Sequence, residues 1–336
     1  MISLLVVNFR SAALAAEAVR SARASSSSPL QVVIVDNSCD LAEAQTLQGF
    51  ADELIVSSTN RGYAGAINDG RRACRGDVIV ISNPDVVFAP HAIDLLAGAL
   101  DARTVVSGPA LFWDAAHRWH LPPGDLLMAR EKLDQILASR SERWREWRDR
   151  RRFAARVAFW SLRTTTRVDM LSGAVMAVQA STFDLLEGFD ERFPLYFEET
   201  DFLRRVREHH KHIAYVPEAR CRHIYNQSAA QTGEVAAARY AESEWKYLEK
   251  WNGPWLARVM KRWERPSPAI PNSGVDVTEA PHESRAEGTQ EIVTEASPLP
   301  TFETAAGYFG RAADVPPEIR QSLGHSPLYL RYRIRA

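Results

Sequence analysis

The chain has 336 residues and carries 41 Lys and Arg against 42 Asp and Glu, so its net charge is near zero. That length can bury a sizeable core in one large domain or two small ones, and the whole-chain charge balance says nothing about partners. Three scattered cysteines, Cys39, Cys74 and Cys221, argue against a disulfide framework or a zinc knuckle and fit a reducing compartment.

The opening "MISLLVVNFR" has too short an apolar run for a signal segment, with no basic residue ahead of it, and reads as a first strand. No stretch approaches the roughly eighteen apolar residues of a membrane span. The expected location is the cytoplasm. The first hundred residues then alternate. After "ISLLVVNF" comes an Ala-rich helix, "SAALAAEAVRSAR", with Ser11 as its expected N-cap, then the strand "LQVVIVD" and a helical stretch near residues 41–49. "ELIVSS" is a third strand, "GAINDGRRAC" a crossover helix, "DVIVIS" a fourth strand and "PHAIDLLAGALD" a further helix. Continuous apolar strands alternating with helices predict an α/β fold, a mostly parallel sheet with helices on both faces. Ligands of such sheets sit outside the carboxyl ends of the strands. Those ends here are "NFR", "DNS", "STNRG" and "NPD", four polar loops on one edge.

Residues 114–167 differ. They are helical in period and basic, with Trp144, Trp147, Phe153, Phe159 and Trp160 set among arginines. Two readings fit: an amphipathic helix pair packed on the sheet, or a surface for anionic lipid headgroups or a phosphate-bearing acceptor, which would place the protein peripherally on the inner face of a membrane. No motif supports nucleic acid as a partner. From Val168 come a strand with a Ser-Gly interruption, a short helix, the helix "ETDFLRRVREHH", the strand "KHIAYVP", the segment "CRHIYNQS" and a last helix ending at Gly253. Residues 265–300, rich in proline, acids, Ser and Thr, read as a disordered linker. Residues 301–336 form a short segment of no assigned role, and a chain ending near Arg265 is expected to fold.

The chemistry gathers at the loops. Asp85 lies just past a buried strand in "NPD", where a carboxylate can hold Mg²⁺ or Mn²⁺ together with phosphate oxygens, and Pro84 ends the regular pairing. Asp36 closes "VIVDNS". "NRGYAGAIN" offers Gly62 and Gly65 for close backbone approach to a ligand. "YFEETD" places Glu198, Glu199 and Asp201 at the start of a helix, where acids also serve as plain dipole partners. His223 lies beyond a strand in "RHIYNQS", where a lone histidine is as readily structural.

The order "VVNF … VIVDNS … NRGYAGAIN … VISNPD … SGAVMAVQASTFDLLEGFDERFPLYFEETDFLRRVR … H" resembles the family-2 inverting glycosyltransferases, in their rhamnosyltransferase-like branch, over residues 2–250. The resemblance implies a GT-A fold across residues 1–256, with residues 114–167 as an acceptor-side helical insertion. It implies a nucleotide-diphospho-sugar donor such as dTDP-rhamnose, a glycan or lipid-linked acceptor in cell-surface polysaccharide synthesis, and a divalent metal. It assigns Asn8 and Asp36 to the nucleoside; Asn60, Gly62, Tyr63 and Asn68 to the loop near base, ribose and diphosphate; Asp85 and His223 to the metal; and Glu199 to the catalytic base. Asn83 and Glu199 depart from the pattern, since relatives usually carry Asp at both places. Glu198 and Asp201 compete with Glu199 for the base. Rival readings are a non-catalytic sugar-nucleotide or polysaccharide-binding relative, which those departures favour, and a nucleotidyltransferase, whose Gly-rich basic signature "VVNFRSAAL" lacks.

Overall fold

The computed structural model describes residues 1–224, 227–264, 291–312, 314–324 and 326–335, the side chains of 227–237 excepted. In chain order the elements are β1 (Ile2–Asn8), α1 (Ala12–Ser25), β2 (Leu30–Asp36), α2 (Leu41–Leu47), β3 (Glu53–Val56), α3 (Gly62–Arg71), β4 (Val78–Ser82), β5 (Val86–Phe88), α4 (Ala92–Gly98), β6 (Thr104–Phe112), α5 (Ala129–Ala138), α6 (Glu142–Trp160), β7 (Thr166–Val168), β8 (Val175–Gln179), α7 (Ala180–Leu185), α8 (Glu198–Glu208), β9 (His212–His223), α9 (Gln227–Asn252), α10 (Pro254–Trp263), β10 (Ile292–Ser297), β11 (Ala306–Phe309), α11 (Pro317–Leu323) and β12 (Tyr329–Ile334).

The main sheet runs β3-β2-β1-β4-β8-β6-β9-β5, with β7 paired to β9. Strands β3, β2, β1 and β4 are parallel, in register from Ile2 beside Leu30 and Val78 onward, as the strand–helix alternation predicts. β8 enters antiparallel between β4 and β6. Both faces are covered: one core layer joins Leu4, Val6, Val19 and Ile34 to Ile93, the other joins Leu5, Val33 and Ile67 to Phe202 and Val206. Residues 212–223 form one strand, where the sequence reads as a strand ending at "YVP". A register shift between Pro109 and Ala110 on its partner β6 carries the pairing past Pro217. Ser11 precedes α1 without capping it. Its Oγ donates to Asn8 Oδ1 at 3.0 Å, and Glu43 Oε2 accepts the Ala12 N–H at 2.9 Å instead.

The C-terminal expectations need correction. Residues 265–290 lie outside the described residues. Residues 292–297, read from composition as part of a linker, form β10, the middle of a three-stranded antiparallel sheet β11-β10-β12. Proline and charge around it hide a strand whose Val293 and Ala296 are fully buried. The segment is also part of the core: Ala296, Ala306, Val315, Ile319 and Leu323 belong to the same buried layer as β1 and β2. Trp113 Nε1 donates to Ser322 Oγ at 2.9 Å, Gly307 exchanges both backbone hydrogen bonds with His120, and the Trp160 ring lies where a side chain at Gly307 would be. Burying Val293, Val315, Ile319 and Leu323 gains on the order of 6–12 kcal/mol before ordering costs. That is comparable with the whole net stability of a typical domain, about 5–15 kcal/mol. A chain ending near Arg265 lacks part of its core.

The basic helix α6 packs against this segment, as the first reading of residues 114–167 expects. Arg148 and Arg152 of α6 pair with Glu303, Arg152 also reaches the Thr301 carbonyl, and the buried Arg156 donates to the Phe302 and Glu303 carbonyls. The inner half of the arginine run thus docks the C-terminal segment. Among the described residues no helix is long and apolar enough to cross a membrane.

Candidate active site

β4 is buried on both faces and ends at Ser82, and the turn after it is held from two sides. The Asn83 N–H donates to the Ala174 carbonyl at 2.8 Å, and the Ile224 N–H donates to the Asp85 carbonyl at 2.9 Å. Pro84 has no N–H to lose between them. The antiparallel β5–β9 pair sets Val86 opposite His223. That register brings His223 Nε2 to 3.2 Å from Asp85 Oδ1, both side chains about nine-tenths buried. Two residues 138 positions apart in sequence therefore meet on the sheet edge.

The second cluster is the head of α8. Tyr196 and Phe197, neither a glycine, take φ of 67° and 69° before the helix begins. Left-handed backbone at two bulky residues is strained, and packing must hold it; Phe197 lies against Tyr247 and Tyr240. The turn delivers Glu198 into the interior and Glu199 to the cleft wall, where its stem lies against Gly173; a Cβ there would meet Glu199 Cγ at 2.8 Å. Since Ala174 also binds Asn83, the "SGA" segment bridges the two clusters. Burial, then the neighbouring Glu199 charge, pushes the Glu198 carboxyl well above the ordinary carboxylate range, and burial raises Glu199 as well. Tyr63 stands between the clusters. Burial foremost, then the charges of Glu198, Glu199 and Asp85, drive its hydroxyl above its usual range. Among the described residues the Tyr63 hydroxyl and Glu198 Oε2 are both buried with no hydrogen-bond partner, as is Asp36 Oδ2 at the far end of the edge. Unsatisfied buried polar atoms are costly, so each of these three has hydrogen-bonding capacity to spare.

Asp201, one turn along α8, is different. It is fully buried and saturated: Arg205 Nε lies at 2.8 Å, Lys250 Nζ at 2.6 Å and Trp251 Nε1 at 2.8 Å. Its carboxylate ties α8 to α9, and the two cations beside it hold it as a structural ion pair.

Several loop assignments also change. Asn8 is fully buried, donating to Asp36 and Glu43 and accepting from Ser11, so it orients Asp36 from behind. Asn60 Oδ1 accepts from Asn37 Nδ2 and the Gly62 N–H, which closes its own turn. Gly62, at φ 70°, makes room for Pro194, which a Cβ would meet at 2.7 Å; the close approach is to the chain itself. Gly65 faces Arg61 at 3.2 Å in the same way. Asn68 clamps the "GFDERF" loop, donating to the Phe189 carbonyl and Glu191 and accepting from the Phe189 N–H. Each amide was read as a ligand contact because a polar side chain in a loop looks the same in sequence whether it binds backbone or substrate.

Residues that sequence reading passed over are Glu43, Asn37, Tyr196 and Tyr240. Tyr240 lies on α9, with its ring 5.1 Å from Phe197 and 5.5 Å from Tyr196, and it also lines a cavity of ≈ 400 Å³. That cavity opens between α5, α6, α9 and the C-terminal segment, with Arg148, Glu244, Glu303 and Arg331 on its walls. Glu198 and Glu199 themselves do not line it. Only tertiary contact brings α9 and residues 300–303 there.

Comparison with known proteins adds the following. The chain is 24% identical over 264 residues, 70% of its length and 79% of the relative's, to an N-acetylglucosaminyl-diphospho-decaprenol L-rhamnosyltransferase of Mycobacterium tuberculosis. It is similar to the crystal structure of GalNAc-T7 with UDP, GalNAc and Mn²⁺, with a TM-score of 0.45, 14% identity and coverage of 66% of this chain and 43% of that one. It is likewise similar to the mannosyltransferase PcManGT of Pyrobaculum calidifontis in complex with GDP-Man and Mn²⁺, with a TM-score of 0.43, 16% identity and coverage of 78% of this chain and 73% of that one. The sheet itself is mixed and covered by helices on both faces. The family model described as glycosyltransferase like family 2 matches residues 1–241, well over half of the sequence, and the chain belongs to that family.

Proposed function

We propose that this protein is a metal-dependent inverting glycosyltransferase that moves a sugar, with rhamnose from dTDP-rhamnose the first candidate, from a nucleotide-diphospho-sugar to a hydroxyl of a glycan or lipid-linked acceptor in cell-surface polysaccharide synthesis. The observation that carries this is that the acids Glu198 and Glu199 and the Asp85–His223 pair lie close enough for Glu198, Glu199 and Asp85 all to act on the one Tyr63 hydroxyl. The activity of the Mycobacterium tuberculosis relative, an N-acetylglucosaminyl-diphospho-decaprenol L-rhamnosyltransferase, supports the choice of sugar and of a lipid-linked acceptor.

The nucleoside lies along the β1–β2 edge, where Asp36 Oδ2 has an acceptor to give to a base N–H or a ribose hydroxyl. Among the described residues no group of three or more His, Cys, Asp or Glu could hold a metal ion. Asp85 and His223 would supply one oxygen and one nitrogen ligand, a set that suits Mn²⁺ or Mg²⁺ with diphosphate oxygens completing the shell. When bound, that ion supplies charge against the negative charge growing on the leaving diphosphate. Tyr63 donates its hydroxyl to the sugar or diphosphate; its raised pKa keeps it protonated for that purpose. Glu199, on the cleft wall, takes the proton of the acceptor hydroxyl as general base. The acceptor oxygen forms its bond to the anomeric carbon as the bond to the diphosphate oxygen breaks, and one displacement inverts the configuration. Glu198 is buried while Glu199 is only partly buried beside Gly173, which leaves Glu199 the member of the pair an acceptor hydroxyl can reach. The acceptor extends past Tyr240 into the ≈ 400 Å³ cavity.

The test is a panel of sugar nucleotides with Mn²⁺, assayed for transfer to undecaprenyl- or decaprenyl-diphosphate-linked sugars and for donor hydrolysis. Donor binding with neither transfer nor hydrolysis, across the panel, would leave the non-catalytic reading in its place.

A further inference from the structure

α10 is the helix the sequence pattern passes over. It starts at Pro254 directly after α9, with Gly253 at φ 81° making the corner. Its inner side buries Ala257 and Met260. Its outer side carries Trp255, Val259 and Trp263, one helical turn apart, with the two tryptophans 74% and 56% exposed. Large apolar side chains spaced along one exposed helix face make a continuous patch rather than scattered exposure. The patch continues onto a neighbour: Arg140, just past α5, donates to the Trp263 carbonyl and lays its guanidinium 5.5 Å from the centre of the Trp263 ring. The α5 helix tied in this way exposes Leu133 and Leu137.

Charge decides what covers this face. Pro254–Trp263 contains Arg258, Lys261 and Arg262 and no acid. Arg258 and Arg262 fall beside the apolar stripe, exposed. A second copy of the chain docking by two-fold symmetry would set these cations against themselves. An anionic bilayer meets them with opposite charge, and a tryptophan at each end of an apolar stripe is the arrangement that settles at the headgroup level.

We infer that the outer face of α10, with Leu133 and Leu137 of α5, is a docking surface for the anionic phospholipid headgroups of a bilayer. This moves the lipid contact away from the arginine run of α6, whose inner half is taken up by the C-terminal segment. The surface stands apart from the transfer chemistry, so it is tested apart from it.

The full chain is sedimented with phosphatidylcholine vesicles and with vesicles containing phosphatidylglycerol as well. Binding is expected to the anionic vesicles only, and to fall steeply between about 0.1 M and 1 M salt as the Debye length shrinks from about 10 Å to 3 Å. Trp255→Ser with Trp263→Ser, and separately Arg258→Glu with Arg262→Glu, should each lower the partition by about tenfold or more. Both pairs lie on the surface, so circular dichroism and the thermal melt should match wild type, and donor hydrolysis should be unchanged. Wild-type protein that ignores anionic vesicles overturns the inference. So do double variants that partition like wild type. A wild-type dimer in light scattering that the tryptophan variant takes apart assigns the face to a second copy instead.

Discussion

Two regions of this molecule bury charge in opposite ways. Where α6 meets the C-terminal segment, Asp149 is ringed by Arg152, Arg331 and Arg333, and Glu295 is fully buried against Arg331. Burial opposes ionisation of Asp149, but the guanidiniums around it win and hold its carboxyl below the ordinary range. At the head of α8, Glu198 is buried and Glu199 half-buried with no cation beside them among the described residues, and both carboxyls are raised. One turn further along the same helix, Asp201 returns to the first pattern, with Arg205 and Lys250. A buried charge that holds the chain together is compensated by the chain. One left uncompensated costs stability, and that cost is tolerable where a substrate or proton will complete it.

The largest expected effect tests the compensated region. A chain ending at Glu264 should lose its cooperative melt and become insoluble, because the arginines of α6 and the core beneath Ile319 and Leu323 lose their partners. A sharp melt and donor binding in that chain would show that the segment is an accessory. Next comes the metal pair. Asp85→Ala, or excess chelator on the wild type, should abolish nearly all transfer, and transfer that continues in excess chelator leaves Asp85 as a turn residue. Glu199→Gln should lower the transfer rate by about 10²–10⁴-fold while donor affinity holds. The acid limb of the wild-type pH profile should sit above the usual glutamate pKa of about 4.3. If Glu198→Gln is the dead variant and Glu199→Gln transfers normally, the two acids exchange roles. Asp201→Asn should cost on the order of 3 kcal/mol of stability by stranding Arg205 and Lys250, read as a shifted urea midpoint, with any folded fraction still transferring. The smallest effect carries a sign. Glu198 has a raised folded pKa, so its contribution to stability is present at low pH and lost as pH rises through that value. Glu198→Gln should therefore melt a few degrees higher than wild type at neutral pH, and the gain should vanish in acid. Asp149 runs the other way: its folded pKa is lowered, and its contribution is lost as pH falls through that value. Asp149→Asn should lower the melting temperature at neutral pH and make no difference in strong acid.

The sequence by itself determined the parallel half of the sheet, because Val and Ile runs such as "VVIVD" and "VIVIS" are buried on both faces, and a continuous apolar strand admits little else. It also determined which loops share an edge, since the carboxyl ends of parallel strands must lie together. That was enough to put Asp36 and Asp85 on one edge of the sheet. Tertiary structure decided the rest. Whether Asn8, Asn60 and Asn68 face a ligand or the chain depends on which backbone groups happen to lie opposite them, and the hydrogen-bonding capacity of an amide is the same in either case. Which of three adjacent acids is free depends on Lys250 and Trp251, some fifty residues away on α9. The C-terminal strands were hidden for a related reason. Local composition measures how much apolar surface a segment can bury on its own, whereas β10 and α11 bury theirs against Trp113, Trp160 and the α6 arginines, partners that exist only once the first 160 residues have folded.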